Sequence, residues 1–413
     1  MKLNLMAWRT LTRNKRRTFI TSFSIAFGIF LAVTFTGSGD YSYTNMINTS
    51  AIMGFGHITV AENGYNDRPS LSRWLRETDF VLDKVGNLSG VEGSYPRIMG
   101  QGMFAAGAKS VGGAFMAMDP EKENKNHNFF LRSIVKGEMF DDKDGRGAVI
   151  GVDMAEKLNL RLGKKLIITV TDKNGELTSE LLRISGLFKT GDLAADSSIV
   201  LAPLGRMQET LNYGKDGVSF VAVYVDDLRS VKAVQKELAG SLAASKNTEI
   251  LTWQKTQPDL SGLIAVDRLF NYLMQLLVGL VIAAGIMNTM QMSVLERTRE
   301  FGIMMAVGMA PGQVVRLVLV ESLWLGSIGI IMGIMISTPW FMYMSSTGID
   351  MSGFVGDDYS AGGVLVDPVL KLRLFKESAF FILLTVFLLT MAASVYPAIR
   401  AGKIMPVDTI KEI

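Results

Sequence analysis

The 413-residue chain contains no cysteine. Disulfides and thiolate metal centres are therefore excluded, and thiols say nothing of its redox compartment. Histidine is nearly absent too: His57 and His127 are the two in the chain, far apart in sequence. That argues against an imidazole-based metal site or a Ser-His-Asp relay. No GxxxxGK[ST] occurs, so these residues hold no phosphate-cradling loop. The run DDKDG at 141–145 lacks the ligand spacing and final Glu of a calcium loop and reads as a solvated turn. The 25 methionines, Met287, Met290, Met292, Met304, Met305 and Met309 among them, read as adaptable helix packing rather than soft metal ligands. No enzyme active site emerges, and no metal or other cofactor is expected on this chain. A net charge of +3 is too small to point to nucleic acid, so none is expected as a partner.

What the chain has instead is apolar length. It is 48% hydrophobic, with a mean hydropathy of +0.27, yet 20% charged. That combination implies membrane spans joined to a sizeable aqueous domain. Four apolar runs of spanning length lie at 18–36, 267–292, 314–341 and 379–396. Residues 1–17 carry Lys2, Arg9, Arg13, Lys15, Arg16 and Arg17 and no acid. With Leu3, Met6, Trp8 and Leu11 they form a basic amphipathic helix suited to an anionic membrane surface. A cleaved signal peptide is disfavoured, because the basic stretch is long and no A-x-A site follows. Basic residues at the N-terminus, in 293–313 and in the 397–413 tail face the acid-rich 342–378 loop. This charge bias predicts both termini in the cytoplasm and 37–266 outside.

The 37–266 segment reads as α+β. Strands are expected at 56–60, through the Gly-rich 91–118, and at 148–152, 166–171, 176–188 and 218–225. Helices are expected at 71–88, 154–160 and 228–243. Asn174-Gly175 between two alternating runs predicts a hairpin. Residues 41–53 are expected to continue the first helix outward. In the third apolar run, Gly329 and Gly333 make a GxxxG, a candidate close helix contact. Glu321 is expected to be an interfacial charge paired with Arg316 or another helix.

The stretch 293–313 organises the rest. Its mixed charges cannot sit in hydrocarbon, and it is too short to be a domain. A brief helix at the membrane surface, open to a soluble partner, is the expected form.

The run ERTREFGIMMAVGM within this stretch resembles the cytoplasmic signature of the FtsX/MacB-type ABC transporter permeases. Tyr396-Pro397-Ala398-Ile399-Arg400-Ala401, followed by Met405-Pro406-Val407, resembles that family's last-span exit. The outer-domain runs AVIGVDMAEKLNLRLGKKLIITV and LLRISGLFKTGDLAADSSIVLAPLGRMQETL, and the entry AWRTLTRNKRRTFIT, are similar to it as well. GHITV and ILTWQKTQP look most like the LolC/LolE lipoprotein-releasing branch. The resemblance implies an α-helical integral membrane protein of the bacterial inner membrane. It has four transmembrane helices and a large α+β periplasmic domain between helices 1 and 2. It also implies a second permease subunit, a separate cytoplasmic ATPase dimer that carries the ATP and magnesium, and a periplasmic chaperone or adaptor. By the same resemblance, Glu296, Arg297, Thr298, Arg299, Glu300 and Gly302 are expected to contact the ATPase, with Arg9 and Arg13 adding to that surface. The cargo is expected to be lipid-anchored or hydrophobic, held at Phe30, Val33 and Phe35 and at Leu269, Phe270, Leu273 and Met274. Antibiotic or peptide export with an adaptor and outer-membrane duct, and signalling to a cell-wall hydrolase, remain alternatives.

Overall fold

The computed structural model describes residues 2–242, 247–355, 360–361, 364–365 and 369–404. The Met405-Pro406-Val407 motif, Lys411, and Asp357, Asp358 and Asp367 of the acidic loop lie outside the described residues. The chain divides into two compact units. One comprises Met1–Ser42, Val266–Asp350 and Val369–Ile413; the other comprises Tyr43–Ala265 and Met351–Pro368.

The first unit is helical. Its elements are α1 (Lys2–Arg13), α2 (Lys15–Ser50) as far as Ser42, α3 (Pro258–Glu296) from Val266 on, α4 (Thr298–Ala306), α5 (Pro311–Ser346) and α6 (Lys376–Gly402), with a short strand pair at Ile349–Asp350 and Val369–Leu370. Among the described residues, four helices are long and apolar enough to cross a membrane: α2 with the π-helical turn that follows it, α3, α5 and α6. They outrun the apolar stretches of the sequence. The 39 residues of α3 would reach about 58 Å at ~1.5 Å per residue, against a hydrocarbon core of about 30 Å. Hydropathy marks only the part that suits lipid, whereas a helix continues while its backbone hydrogen bonds are met. The core of this unit joins Leu11 of α1, Ile25 and Ile29 of α2, Ile286 of α3, Phe301 of α4, Leu317 of α5 and Val386 of α6. The GxxxG is a packing groove. A Cβ on Gly329 would lie 2.7 Å from Ile25 Cβ, and one on Gly333 would lie 2.7 Å from Ile29 Cδ1. Only glycine lets α5 approach α2 this closely. By contrast, 11% of the apolar window of α3 is buried, against 44% for α5. Most of α3 thus faces away from its own unit.

Besides a short pair at Ser360–Ala361 and Val364–Leu365, the second unit holds the ten strands of one sheet among its described residues. They are β1 (Ile58–Glu62), β2 (Val91–Ala106), β3 (Lys109–Met118), β4 (Ile134–Gly137), β5 (Gly147–Gly151), β6 (Lys165–Thr171), β7 (Leu177–Phe188), β8 (Ile199–Pro203), β9 (Phe220–Val225) and β10 (Thr248–Thr252). In the order β10-β1-β9-β2, every neighbouring pair is antiparallel. Helix Thr78–Gly86 joins β1 to β2 and helix Val231–Ser241 joins β9 to β10. This is the split βαβ arrangement of ferredoxin-like folds. The remaining strands are inserted between β2 and β9. There β2 pairs β3, then β8, β5, β7 and β6 follow in turn, and β6 returns to β2. The ring closes into a small barrel and removes its own sheet edges. Strand β2 belongs to both parts. Its first half pairs β9, and its second half pairs β3 and β6.

Side-chain alternation fits this topology. Leu166, Ile168 and Val170 of β6 are buried while their neighbours are less so, because one face lines the barrel. Strand β9 is buried at every residue: Val221 and Val223 enter the main core, and Phe220, Ala222 and Tyr224 pack on Ala51, Tyr65 and Tyr95. The 174–175 hairpin forms as expected, with Asp172 Oδ1 accepting from the Asn174 and Glu176 amides at 2.8 and 2.9 Å. The helix expected over 71–88 is shorter. It occupies Thr78–Gly86, because Leu75 instead exchanges backbone hydrogen bonds with Val218 as an isolated bridge.

Candidate functional site

The connection between α3 and α5 is built by a few residues. Helix α3 stops at Glu296 because Arg297, with φ −109° and ψ 12°, leaves helical geometry. Helix α4 then runs Thr298–Ala306, and the Thr298 hydroxyl donates back to the Val294 and Leu295 carbonyls at 3.1 and 2.8 Å. Gly308, at φ 104°, takes the left-handed turn that ends it. Pro311 then opens α5, where its missing N–H costs nothing.

The charges of this stretch divide between inside and outside. Arg297 turns inward and is 6% exposed. Its Nη1 donates to both carboxylate oxygens of Glu321 on α5, at 2.8 and 3.0 Å. Its Nε donates to Glu300 Oε2 at 2.9 Å, and its guanidinium lies 4.9 Å from the centre of the Phe301 ring. Glu300 also receives Arg13 Nη2 of α1 at 2.5 Å. Arg17 of α2 stands 3.6 Å from Glu296. Thus Arg13, Glu300, Arg297 and Glu321 tie α1, α4 and α5 in one ionic network, and Arg17–Glu296 is a separate pair between α2 and α3. Burial works against the Arg297 charge, but the Glu321 and Glu300 carboxylates outweigh it and hold its pKa above the ordinary value. Burial also opposes the Glu300 charge, and Arg297 and Arg13 outweigh it, lowering the Glu300 pKa. The Glu321 partner is therefore Arg297, and Arg316 is exposed.

Of the six residues expected at a partner surface, Arg297 and Gly302 are buried, Thr298 and Glu300 are half-buried, and Glu296 and Arg299 are exposed. Arg299 is followed at helical spacing by Ile303, 50% exposed, and Val307, 83% exposed. This outward ridge was not visible from charge alone. Its signal is the i, i+4, i+8 spacing on a helix whose opposite side carries buried Phe301. The Trp8 and Trp324 rings meet edge to face at 5.0 Å and help seat α1 on α5.

The residues expected at an apolar cargo surface are split. Leu269, Phe270, Leu273 and Met274 lie exposed on α3, and Phe35 is exposed on α2. Val33 is 8% exposed and lies in the helical core, and Phe30 packs against Trp340 of α5 at 5.7 Å. The face of α2 that bears them is covered by α5. Two α3 side chains tie its apolar run to α2: Asn271 donates to the Phe35 carbonyl at 3.3 Å, and Gln275 to Thr36 Oγ1 at 2.8 Å.

Both histidines have partners, which the sequence did not reveal. His57 Nδ1 accepts from the Val225 amide at 3.1 Å, so Nε2 carries the proton toward Asn48 Oδ1, also at 3.1 Å. Burial lowers its pKa to about 4. His127 Nδ1 meets the Tyr95 hydroxyl at 2.9 Å, and its ring stacks on Tyr224. Nearby, Arg97 and Glu123 form a buried pair at 3.0 Å. Among the described residues, no group of three His, Cys, Asp or Glu side chains is arranged to hold a metal.

Comparison with known proteins covers both units. Residues 18–241 match the MacB-like periplasmic core domain, and residues 272–406 match the FtsX-like permease C-terminal region. The chain is similar to an uncharacterised ABC transporter permease of Methanocaldococcus jannaschii, 24% identical over 98% of this chain and 96% of that one. It is similar to the lipoprotein-releasing system transmembrane protein LolE of Haemophilus influenzae, 23% identical over 65% of each chain. It is also similar to the pyoverdine export ATP-binding/permease protein PvdT of Pseudomonas fluorescens, 25% identical over 79% of this chain and 50% of that one.

Proposed function

The chain belongs to the family of FtsX-like ABC transporter permeases with a MacB-like periplasmic core domain, and on that premise we propose that it moves lipid-anchored cargo. Its family implies an ATPase partner. In this reading two permease subunits pair, two ATPase subunits bind ATP and magnesium on separate chains, and α4 receives their motion. Both termini are then cytoplasmic, and the Tyr43–Ala265 unit is periplasmic, in a bacterial inner membrane.

The observation that carries the coupling role is the division of charge at α4. Arg299, Ile303 and Val307 face outward, while Arg297 fastens the same helix to Glu321 of α5. A partner pressing on the outer ridge pushes on a lever already bolted to a spanning helix. Mixed polar and apolar contacts give such a surface both orientation and affinity.

The cargo reading rests on α3. Leu269, Phe270, Leu273 and Met274 present an apolar strip on a helix otherwise little covered by its own unit. Acyl chains gain about 0.8 kcal/mol per buried CH₂ on such a surface. The similarity to a lipoprotein-releasing protein supports the same cargo class. Depletion of the protein should strand lipoproteins in the inner membrane. Normal lipoprotein sorting after depletion would remove the reading.

Export through a periplasmic adaptor and outer-membrane duct is the second reading. It is supported by the MacB-like core domain and the similarity to an export protein. Co-purification separates the two: an adaptor favours export, and a lipoprotein chaperone favours release. FtsX-like control of a cell-wall hydrolase would leave the chain with neither.

A further inference from the structure

The turn between α1 and α2 gathers Arg13, Lys15, Arg16 and Arg17 on one short stretch. These cations line an open cleft of about 810 Å³ whose opposite wall is the last turns of α3. The cleft holds one carboxylate, Glu296, so the positive charges outnumber the negative by three. Arg17 sharpens the case. Its guanidinium has one carboxylate beside it in the cleft, Glu296, and at 3.6 Å that ion pair is longer than a hydrogen bond. A pair this long leaves the guanidinium able to take an anion's oxygens as further acceptors. Away from the cations the cleft is lined by Ile20 of α2 and by Met292 of α3, beside Asn288 and Thr289. Both helices are long and apolar enough to span a membrane.

We propose that this cleft holds the headgroup of an anionic glycerophospholipid. Its phosphodiester accepts from Arg17, Lys15 and Arg16, and its acyl chains descend along Ile20 and Met292. Basic pockets between spanning helices suit such headgroups, because charge and hydrogen bonds are supplied where the hydrocarbon begins. A soluble phosphate would gain the charges but leave Ile20 and Met292 uncovered. The position also bears on coupling. Arg13 pairs with Glu300 of α4 and Arg17 with Glu296 at the end of α3, so a bound headgroup would compete with these carboxylates for their arginines. The inference rests on the spanning helices and not on the identity of the cargo.

The test uses the full chain in neutral detergent. Dioleoylphosphatidylglycerol, dioleoylphosphatidylcholine and inorganic phosphate are titrated separately, with binding read by native mass spectrometry and by the shift in unfolding midpoint. The anionic lipid should bind and raise the midpoint. Lys15→Gln/Arg16→Gln removes two exposed cations that sit outside the Arg297 network. It should weaken that binding about 30-fold, from roughly five-fold per cation. Arg16→Gln alone should weaken it about five-fold, so the claim stays testable if the double variant folds poorly. Arg400→Gln/Lys403→Gln, at two exposed cations elsewhere, should leave the affinity within about two-fold. Equal binding of phosphatidylcholine, an equal midpoint shift from phosphate alone, or an equal loss in the control pair would each overturn the proposal.

Discussion

Arg297 and Glu321 are the most consequential pair of side chains in the helical unit. Each is nearly enclosed, so each depends on the other for its charge. Removing one partner of such a pair costs about 3–5 kcal/mol, because the other charge stays buried alone. Arg297→Gln should therefore lower the thermal unfolding midpoint in detergent, whereas Arg299→Gln, on the outer face, should change stability by under about 0.5 kcal/mol. Equal midpoints for the two would show that Arg297 is not held as described. At His57 the sign is set by burial. Its pKa falls to about 4 from the usual 6.5, so the unfolded chain binds the proton first as pH drops. The histidine's contribution is intact above pH 6.5 and is lost progressively between 6.5 and 4, by roughly 3 kcal/mol in total. His57→Gln should flatten that part of the stability profile. The charge cluster at 296–300 was legible in the sequence as a cluster. Its division into inward and outward charges was not, because the inward partner lies 24 residues away on another helix.

Helices and strands were legible where one periodicity ruled them. The apolar runs announced the spanning helices, and the charges of 293–313 announced a break between two of them. The ends of the helices were not legible, since backbone hydrogen bonding outlasts hydropathy. Strand β9 lost its alternation because both of its faces are covered. Leu71 and Leu75 suggested helical spacing but are buried by other means, Leu75 through its bridge to Val218. At the element scale the sharpest prediction concerns the α2–α5 contact. Gly333→Val places new atoms where a Cβ alone would lie 2.7 Å from Ile29. Overpacking of this kind costs about 1–3 kcal/mol, so the midpoint should fall. Gly353→Val, where a Cβ would meet nothing within 4 Å, is the matched control.

At the scale of the whole molecule, class and order of parts were readable from composition: apolar runs, then a long mixed segment, then more apolar runs. The internal design of the aqueous unit was not. A barrel inserted between two strands of a ferredoxin-like frame, with β2 shared by both, leaves no periodicity of its own. It is fixed by pairings between distant segments, such as Gly147–Gly151 with Ile199–Pro203.

Transmission through α4 is the central claim for the molecule, and the absence of cysteine makes it directly testable. Val307→Cys introduces a single thiol at a position that is 83% exposed. In membranes where the chain is co-expressed with its ATP-binding partner, a short bifunctional thiol–amine reagent should join Cys at 307 to that partner. A thiol placed by Leu177→Cys, 79% exposed on the aqueous unit, should not be joined to it. No crosslink at 307 in an assembled, ATP-hydrolysing complex would contradict the account.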